Sequence, residues 1–133
     1  MEKFEVGSEF IHSFVITQKQ VDAFAEISGD KNPIHIDEEY AQSTKFGKRI
    51  IHGMFGASII SYVMGMKFPG PGSVYLKQNI EFKRPMFPEI EYEGKFKVLD
   101  IDTKGRATVK TDIYDKNTQK ICTEGEAVIL LTK

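Results

Sequence analysis

Residues 51–66 read IHGMFGASIISYVMGM, a run without a single Asp, Glu, Lys or Arg. As a helix it is apolar on nearly every face, with His52, Ser58, Ser61 and Tyr62 its few polar side chains, so it is expected to be buried all round. Gly and Ser interrupt it, and it falls short of the ~20 residues that cross a bilayer. A helix without a wet face needs a wrapper, and the second half of the chain supplies one.

There the apolar period becomes two. Val74, Leu76, Ile80 and Phe82 alternate with Tyr75, Lys77, Asn79 and Glu81. Ile90, Tyr92, Phe96 and Val98 alternate with Glu91, Glu93, Lys95 and Lys97, and Ala107, Val109, Thr111 and Ile113 with Thr108, Lys110 and Asp112. A last strand is expected over 121–131, with Asp115-Lys116-Asn117 turning the hairpin before it. These are half-buried antiparallel strands. A curved antiparallel sheet rolled around the apolar helix satisfies both needs, so the chain is expected to be one α+β domain over residues 1–133.

The first half is mostly helical. Residues 10–16 suit a short strand. Thr17 and Gln20 form a capping box, Val21, Phe24, Ala25 and Ser28 share a helical face, and Gly29 can end that helix in the left-handed conformation. Asp30-Lys31-Asn32-Pro33-Ile34-His35 is rich in turn formers, and Asp37 is placed to cap a further short helix. Phe68-Pro69-Gly70-Pro71-Gly72 reads as a loop.

Composition excludes several function classes. The 133 residues carry a net charge of −1, so no global basic field draws in nucleic acid or an anionic membrane, although local patches remain open. One cysteine, Cys122, rules out an internal disulfide and fits a reducing compartment. MEKFEVGSEF holds no basic stretch followed by an apolar run, so no signal peptide is expected and the location is read as cytoplasmic. No dinucleotide-binding glycine motif, P-loop or metal-ligand spacing is evident, and neither a metal nor a separate cofactor is expected.

Two segments have the residue types for proton chemistry. Asp30 and His35 can both move protons near neutral pH. Pro33 fixes its own φ and biases Asn32 towards extended backbone. The hexapeptide is therefore a stiff hook able to turn both side chains to one point, where a water could be activated by one and oriented by the other. The bland alternative is a turn in which Asp30 merely closes the preceding helix. The second segment is His52-Gly53-Met54, at the start of the apolar helix. A helix N-terminus presents unpaired amides and partial positive charge, and Gly53 would let a ligand oxygen approach its N–H closely. Tight packing alone is an equal reason for that glycine, and His52 reads as a structural histidine bonded to backbone. Ser61, two turns beyond Gly53, is a candidate to face the same side. Met64, with Tyr62 and Met66, is bulky enough to shorten a pocket beside the helix. His12 sits in the first expected strand and reads as ordinary surface, and Cys122 has no partners for a nucleophilic role.

Gly29-Asp30-Lys31-Asn32-Pro33-Ile34-His35-Ile36-Asp37, then Tyr40-Ala41, then Ile51-His52-Gly53-Met54, with the later Gly72-Ser73-Val74-Tyr75-Leu76 and Gly125-Glu126-Ala127-Val128, resemble the MaoC-like branch of the hot-dog fold and its short (R)-specific enoyl-CoA hydratases. The resemblance covers essentially the whole chain. It implies a five-stranded antiparallel sheet around one central helix, assembled as a homodimer. It implies catalytic roles for Asp30 and His35, an oxyanion-hole amide at Gly53, and substrate contacts from Asn32, Ser61, Met64 and Val128. The substrate it implies is an acyl-CoA or acyl-ACP thioester, CoA being part of the substrate. A dehydratase acting on acyl-carrier-protein substrates, a thioesterase and a non-catalytic acyl-thioester-binding subunit are the alternatives. The segment Met86-Phe87-Pro88-Glu89-Ile90 departs from the pattern, lacking the Gly-Asp common before this strand, which leaves that loop's geometry open.

Overall fold

A computed structural model describes residues 3–133. Strand β1 (Glu9–Val15) leads into helix α1 (Gln18–Ser28), two short helices α2 (Pro33–Ile36) and α3 (Glu38–Gln42), and the long helix α4 (Gly53–Met66). Strands β2 (Ser73–Phe82), β3 (Glu91–Ile101), β4 (Arg106–Asp115) and β5 (Ile121–Leu131) follow. They form one five-stranded antiparallel sheet in the order β1-β3-β4-β5-β2. The curved antiparallel sheet on a helix expected from the apolar run and the period-two segments is observed, with the five strands that the hot-dog resemblance implies.

The local signals act as expected. Thr17 Oγ1 accepts from the Gln20 amide while the Gln20 side chain accepts from the Thr17 amide, a reciprocal cap that starts α1. Gly29 ends it at φ 83°, donating to Ala25 O. The Asp37 carboxylate accepts from the Tyr40 amide and caps α3. Asp115 Oδ1 takes both the Asn117 and Thr118 amides, closing the β4–β5 turn.

The core lies between α4 and the concave face of the sheet. Ile60, Val63 and Met64 of α4 pack with Tyr92, Phe96, Val98, Val109, Ile113 and Ile129. Burial of such side chains stabilises by roughly 1.5–3 kcal/mol each, before conformational entropy is set against it.

Two expectations are corrected. The helix is not buried all round: Met54, Tyr62 and Met66 are about half exposed or more. A five-stranded sheet curls over only one side of a helix, so the other side of α4 stays open in a single chain. The alternation in β2 does not produce a buried face either. The register shifts between Tyr75 and Lys77, so Leu76 is bulged out of the ladder, and Val74, Tyr75, Leu76 and Phe82 are exposed. This strand is a sheet edge, where bulges concentrate. His12 is less ordinary than its strand position suggests, since its ring packs against Phe14 and Tyr62.

Residues 86–90, the segment that lacks Gly-Asp, are held without it. Glu89 sits at φ 68°, a left-handed conformation that costs a non-glycine residue. Its amide bonds Ile16 O and its carboxylate accepts from the Gln18 amide at the start of α1. Tyr92 Oη accepts from the Phe87 amide at 2.7 Å, and Met86 O accepts from Ile51 N at 2.8 Å. The segment is thereby tied both to α1 and to the residues that lead into α4.

Candidate active site

The hook between α1 and α2 is built from consecutive side-chain-to-backbone bonds. Asp30 Oδ1 accepts from the Asn32 amide at 3.2 Å, and Asn32 Oδ1 accepts from the Ile34 amide at 3.3 Å. Asn32 is the N-cap of α2 and Pro33 its first residue, where a missing N–H is harmless. The hook therefore contains one tight helical turn, and that turn carries His35 inward, leaving it 8% exposed. Asp30 stays at the exposed side.

His35 is oriented at both ends. Its Nδ1 lies 2.9 Å from Ile50 O. A carbonyl can only accept, so Nδ1 carries the proton and Nε2 keeps a free lone pair. Its backbone carbonyl accepts from Gln18 Nε2 at 2.8 Å. Burial holds the imidazole's pKa below its ordinary 6.5. The Ile50 bond opposes that shift, the neighbouring His52 adds to it, and Asp30 opposes it. His35 is thus neutral at pH 7.

His52 lies beneath this pair. Only 3% exposed, it donates from Nε2 to Asp30 O at 2.9 Å. Its ring stacks on His35 with centroids 3.8 Å apart and planes inclined by 23°, and the Phe24 ring meets it edge-on at 4.8 Å. Its Nδ1 is buried without a hydrogen-bond partner among the described residues. The backbone bond read from the sequence is present; the stacking on His35 was not legible there, nor was the hold of Gln18 on the His35 carbonyl.

One carboxylate oxygen of Asp30 and one nitrogen from each of His35 and His52 lie within 4.8 Å of one another. These are the residues a metal would use. The nearly parallel rings are poorly set for it, since an imidazole binds an ion in its own ring plane and one ion cannot lie in both.

Gly53 is the first residue of α4, with His52 as an N-cap that makes no side-chain capping bond. The Phe55 and Gly56 amides both bond His52 O. Among the described residues the Gly53 and Met54 amides bond nothing, so the helix presents free N–H groups with partial positive charge. A Cβ at Gly53 would meet the Phe82 ring at 2.9–3.1 Å, so packing against Phe82 also requires the glycine.

Asp30, His35, His52 and Gly53 line one cleft of about 710 Å³, within the range of small-molecule sites. Ile51, Met54, Phe82 and Met86 give it apolar walls. The other candidates lie elsewhere. Asn32 spends its side-chain oxygen on the α2 cap. Ser61 is on the exposed side of α4, Met64 is in the core, and Val128 is half-buried on β5. None of these four lines the cleft. No helix among the described residues is long and apolar enough to cross a membrane.

Comparison with known proteins sets this geometry in context. The family described as "MaoC like domain" matches residues 4–121. The chain is 37% identical to an (R)-specific enoyl-CoA hydratase of Aeromonas caviae, over 98% of this chain and 97% of that one. It is 36% identical to a 3-hydroxybutyryl-CoA dehydratase of Methylorubrum extorquens, over 99% of this chain and 83% of the relative. The solved structure of the A. caviae (R)-hydratase involved in PHA biosynthesis superimposes with a TM-score of 0.92 at 36% identity, covering 98% of this chain and 99% of that one.

Proposed function

The chain belongs to the MaoC-like domain family, and from that premise we propose that it is an (R)-specific enoyl-CoA hydratase. It adds water reversibly across the double bond of trans-2-enoyl-CoA to give (R)-3-hydroxyacyl-CoA. The observation that carries the reading is the free His35 Nε2 lone pair sharing one cleft with the Asp30 carboxylate and the open start of α4.

In this mechanism the acyl thioester enters the cleft with its carbonyl oxygen on the Gly53 amide. That donor stabilises the negative charge that grows on oxygen as C3 is attacked. A water sits between the Asp30 carboxylate and His35 Nε2, both acceptors. One removes a proton while the water oxygen bonds C3, and the same proton is delivered to C2. The sum is OH at C3 and H at C2, with the enzyme unchanged. General acid–base catalysis contributes about 10²–10⁴-fold and one oxyanion donor about 10²–10³-fold, so the two features share the load. Burial keeps His35 neutral and able to accept.

The same reading makes the protein a homodimer, supported by the unpaired β2 edge and its exposed Val74, Tyr75 and Leu76. A cytoplasmic location fits a lone, buried thiol at Cys122. The test is to mix pure protein with crotonyl-CoA and longer enoyl-CoAs, follow loss of the conjugated-thioester absorbance, and resolve the product on a chiral column. Hydration to the (R) product is expected. An inert protein removes the hydratase reading, and an (S) product removes its assignment to the (R)-specific branch.

A further inference from the structure

The cleft is lopsided in charge. Among the described residues its charged lining side chains are Lys45, Lys83 and Arg84 against one carboxylate, Asp30. The whole chain is balanced, with 18 cationic and 19 acidic residues, so three cations to one acid is a local departure. The three come from two separate segments: Lys45 from the loop after α3, Lys83 and Arg84 from the exit of β2. All three are exposed, whereas His35, His52, Ile51 and Met86 are buried. The cations therefore share the cleft's exposed rim with Asp30 and Gly53, and His35 lies deeper.

Each cation is held yet available. The Lys83 and Arg84 amides both bond Cys122 O, which fixes their backbone beside β5. Arg84 Nη1 donates to Ile121 O at 2.7 Å, and among the described residues the rest of the guanidinium fork bonds nothing. Lys83 Nζ pairs with the exposed Glu81, a surface contact of the kind that holds weakly. Lys45 Nζ lies over the Phe46 ring at 5.5 Å.

We propose that Lys45, Lys83 and Arg84 form the site that binds the phosphates of coenzyme A, and so select CoA thioesters over other carriers. This rests on the hydratase reading, because that reading puts the reacting acyl group deep in the cleft and sends the rest of the thioester out through the mouth. Coenzyme A brings a diphosphate and a phosphomonoester there. A phosphopantetheine arm brings one phosphate group, and a cluster of three cations from two segments matches several phosphates better than one. Arg presents paired donors suited to a phosphate, and Lys supplies point charge.

The experiment measures binding of free CoA, 4′-phosphopantetheine and pantetheine by isothermal titration, together with hydration of crotonyl-CoA and crotonyl-pantetheine. Wild type is compared with Lys45→Gln/Lys83→Gln and with Arg84→Gln. Among the described residues the lysine pair makes no backbone bond through its side chains, so it tests the site even if Arg84→Gln fails to fold. Wild type is expected to bind CoA at least about tenfold more tightly than pantetheine, with the difference shrinking at high salt as the screening length contracts. The lysine double variant should weaken CoA binding by about tenfold, and the preference for crotonyl-CoA should fall in step. Unchanged CoA affinity in the folded double variant overturns the proposal, as does equal affinity of wild type for CoA and pantetheine. Phosphopantetheine binding as tightly as CoA overturns the assignment to CoA, because one phosphate would then suffice. If wild type binds CoA as expected but hydrates neither thioester, the hydratase reading fails while the phosphate site stands.

Discussion

The imidazoles of His35 and His52 stack at 3.8 Å, and His52 also donates to the backbone carbonyl of Asp30 at 2.9 Å. One buried side chain thus touches both members of the proton-transfer pair, and the residue after it, Gly53, opens α4. His52 keeps water from one face of His35 and holds the Asp30 end of the hook. Its replacement by Ala should admit water against His35. Both desolvation and the influence of His52 hold the His35 pKa down, so both changes move it up. The acid limb of kcat/KM should shift to higher pH in a folded His52→Ala protein. A profile that falls in height without moving along the pH axis would leave His52 a packing residue only.

The proton-transfer pair should act as a unit. Asp30→Asn keeps shape but removes the basic carboxylate, and His35→Ala removes the imidazole. Each is expected to lower kcat by at least ~10²-fold, and the double variant should be little worse than the poorer single one. Circular dichroism should report retained folding. Near-wild-type hydration by folded Asp30→Asn would remove that residue from the mechanism.

Gly53 separates two physical roles that its sequence position confounds. Gly53→Ala puts a Cβ into the Phe82 ring, at 2.9 Å from its nearest atom. It also crowds the helix-start amide, and hydration should fall on the order of 10²-fold. Phe82→Ala in the same chain removes the clash. Activity that stays low in the double variant argues for the amide's approach to the thioester oxygen, while full recovery reduces the glycine to a packing requirement.

Stability should follow two imidazoles, the buried His35 and the half-buried His12. His35 and His12 both have pKa values lowered chiefly by burial, His12 further by Lys67. The unfolded chain therefore binds their protons more readily than the folded one. Their contribution is complete above the ordinary 6.5 and is lost as pH falls through the lower folded values. Tm should drop between about pH 7 and pH 5, and His35→Gln should flatten part of that slope.

The open β2 edge makes assembly measurable. Sedimentation at micromolar concentration should give twice the 15.1 kDa chain mass. Leu76→Lys, a charge at the bulge on that edge, should shift the species towards monomer. A wild-type monomer would remove the homodimer.

Short-range rules made much of the fold legible. The Thr17–Gln20 box, the left-handed Gly29, the Asp37 cap and the alternation through β3 and β4 each depend on residues a few positions apart. A sequence displays those directly. The hook around Asn32-Pro33 was legible for the same reason, because its stiffness is made by neighbours. Contacts between distant residues were decided by docking. His52 reaches Asp30 O across 22 positions and Gln18 reaches His35 O across 17, and the Phe82 ring lies against Gly53 only because β2 ends there. The same apolar run that demands a wrapper cannot say which of its sides the sheet leaves open, since that depends on how far five strands curl. Local pattern determines which elements form and which residues can do chemistry. Only packing decides which tautomer His35 holds, which ring shields it, and which cations meet at the cleft's mouth, because those are set by elements brought together from across the chain.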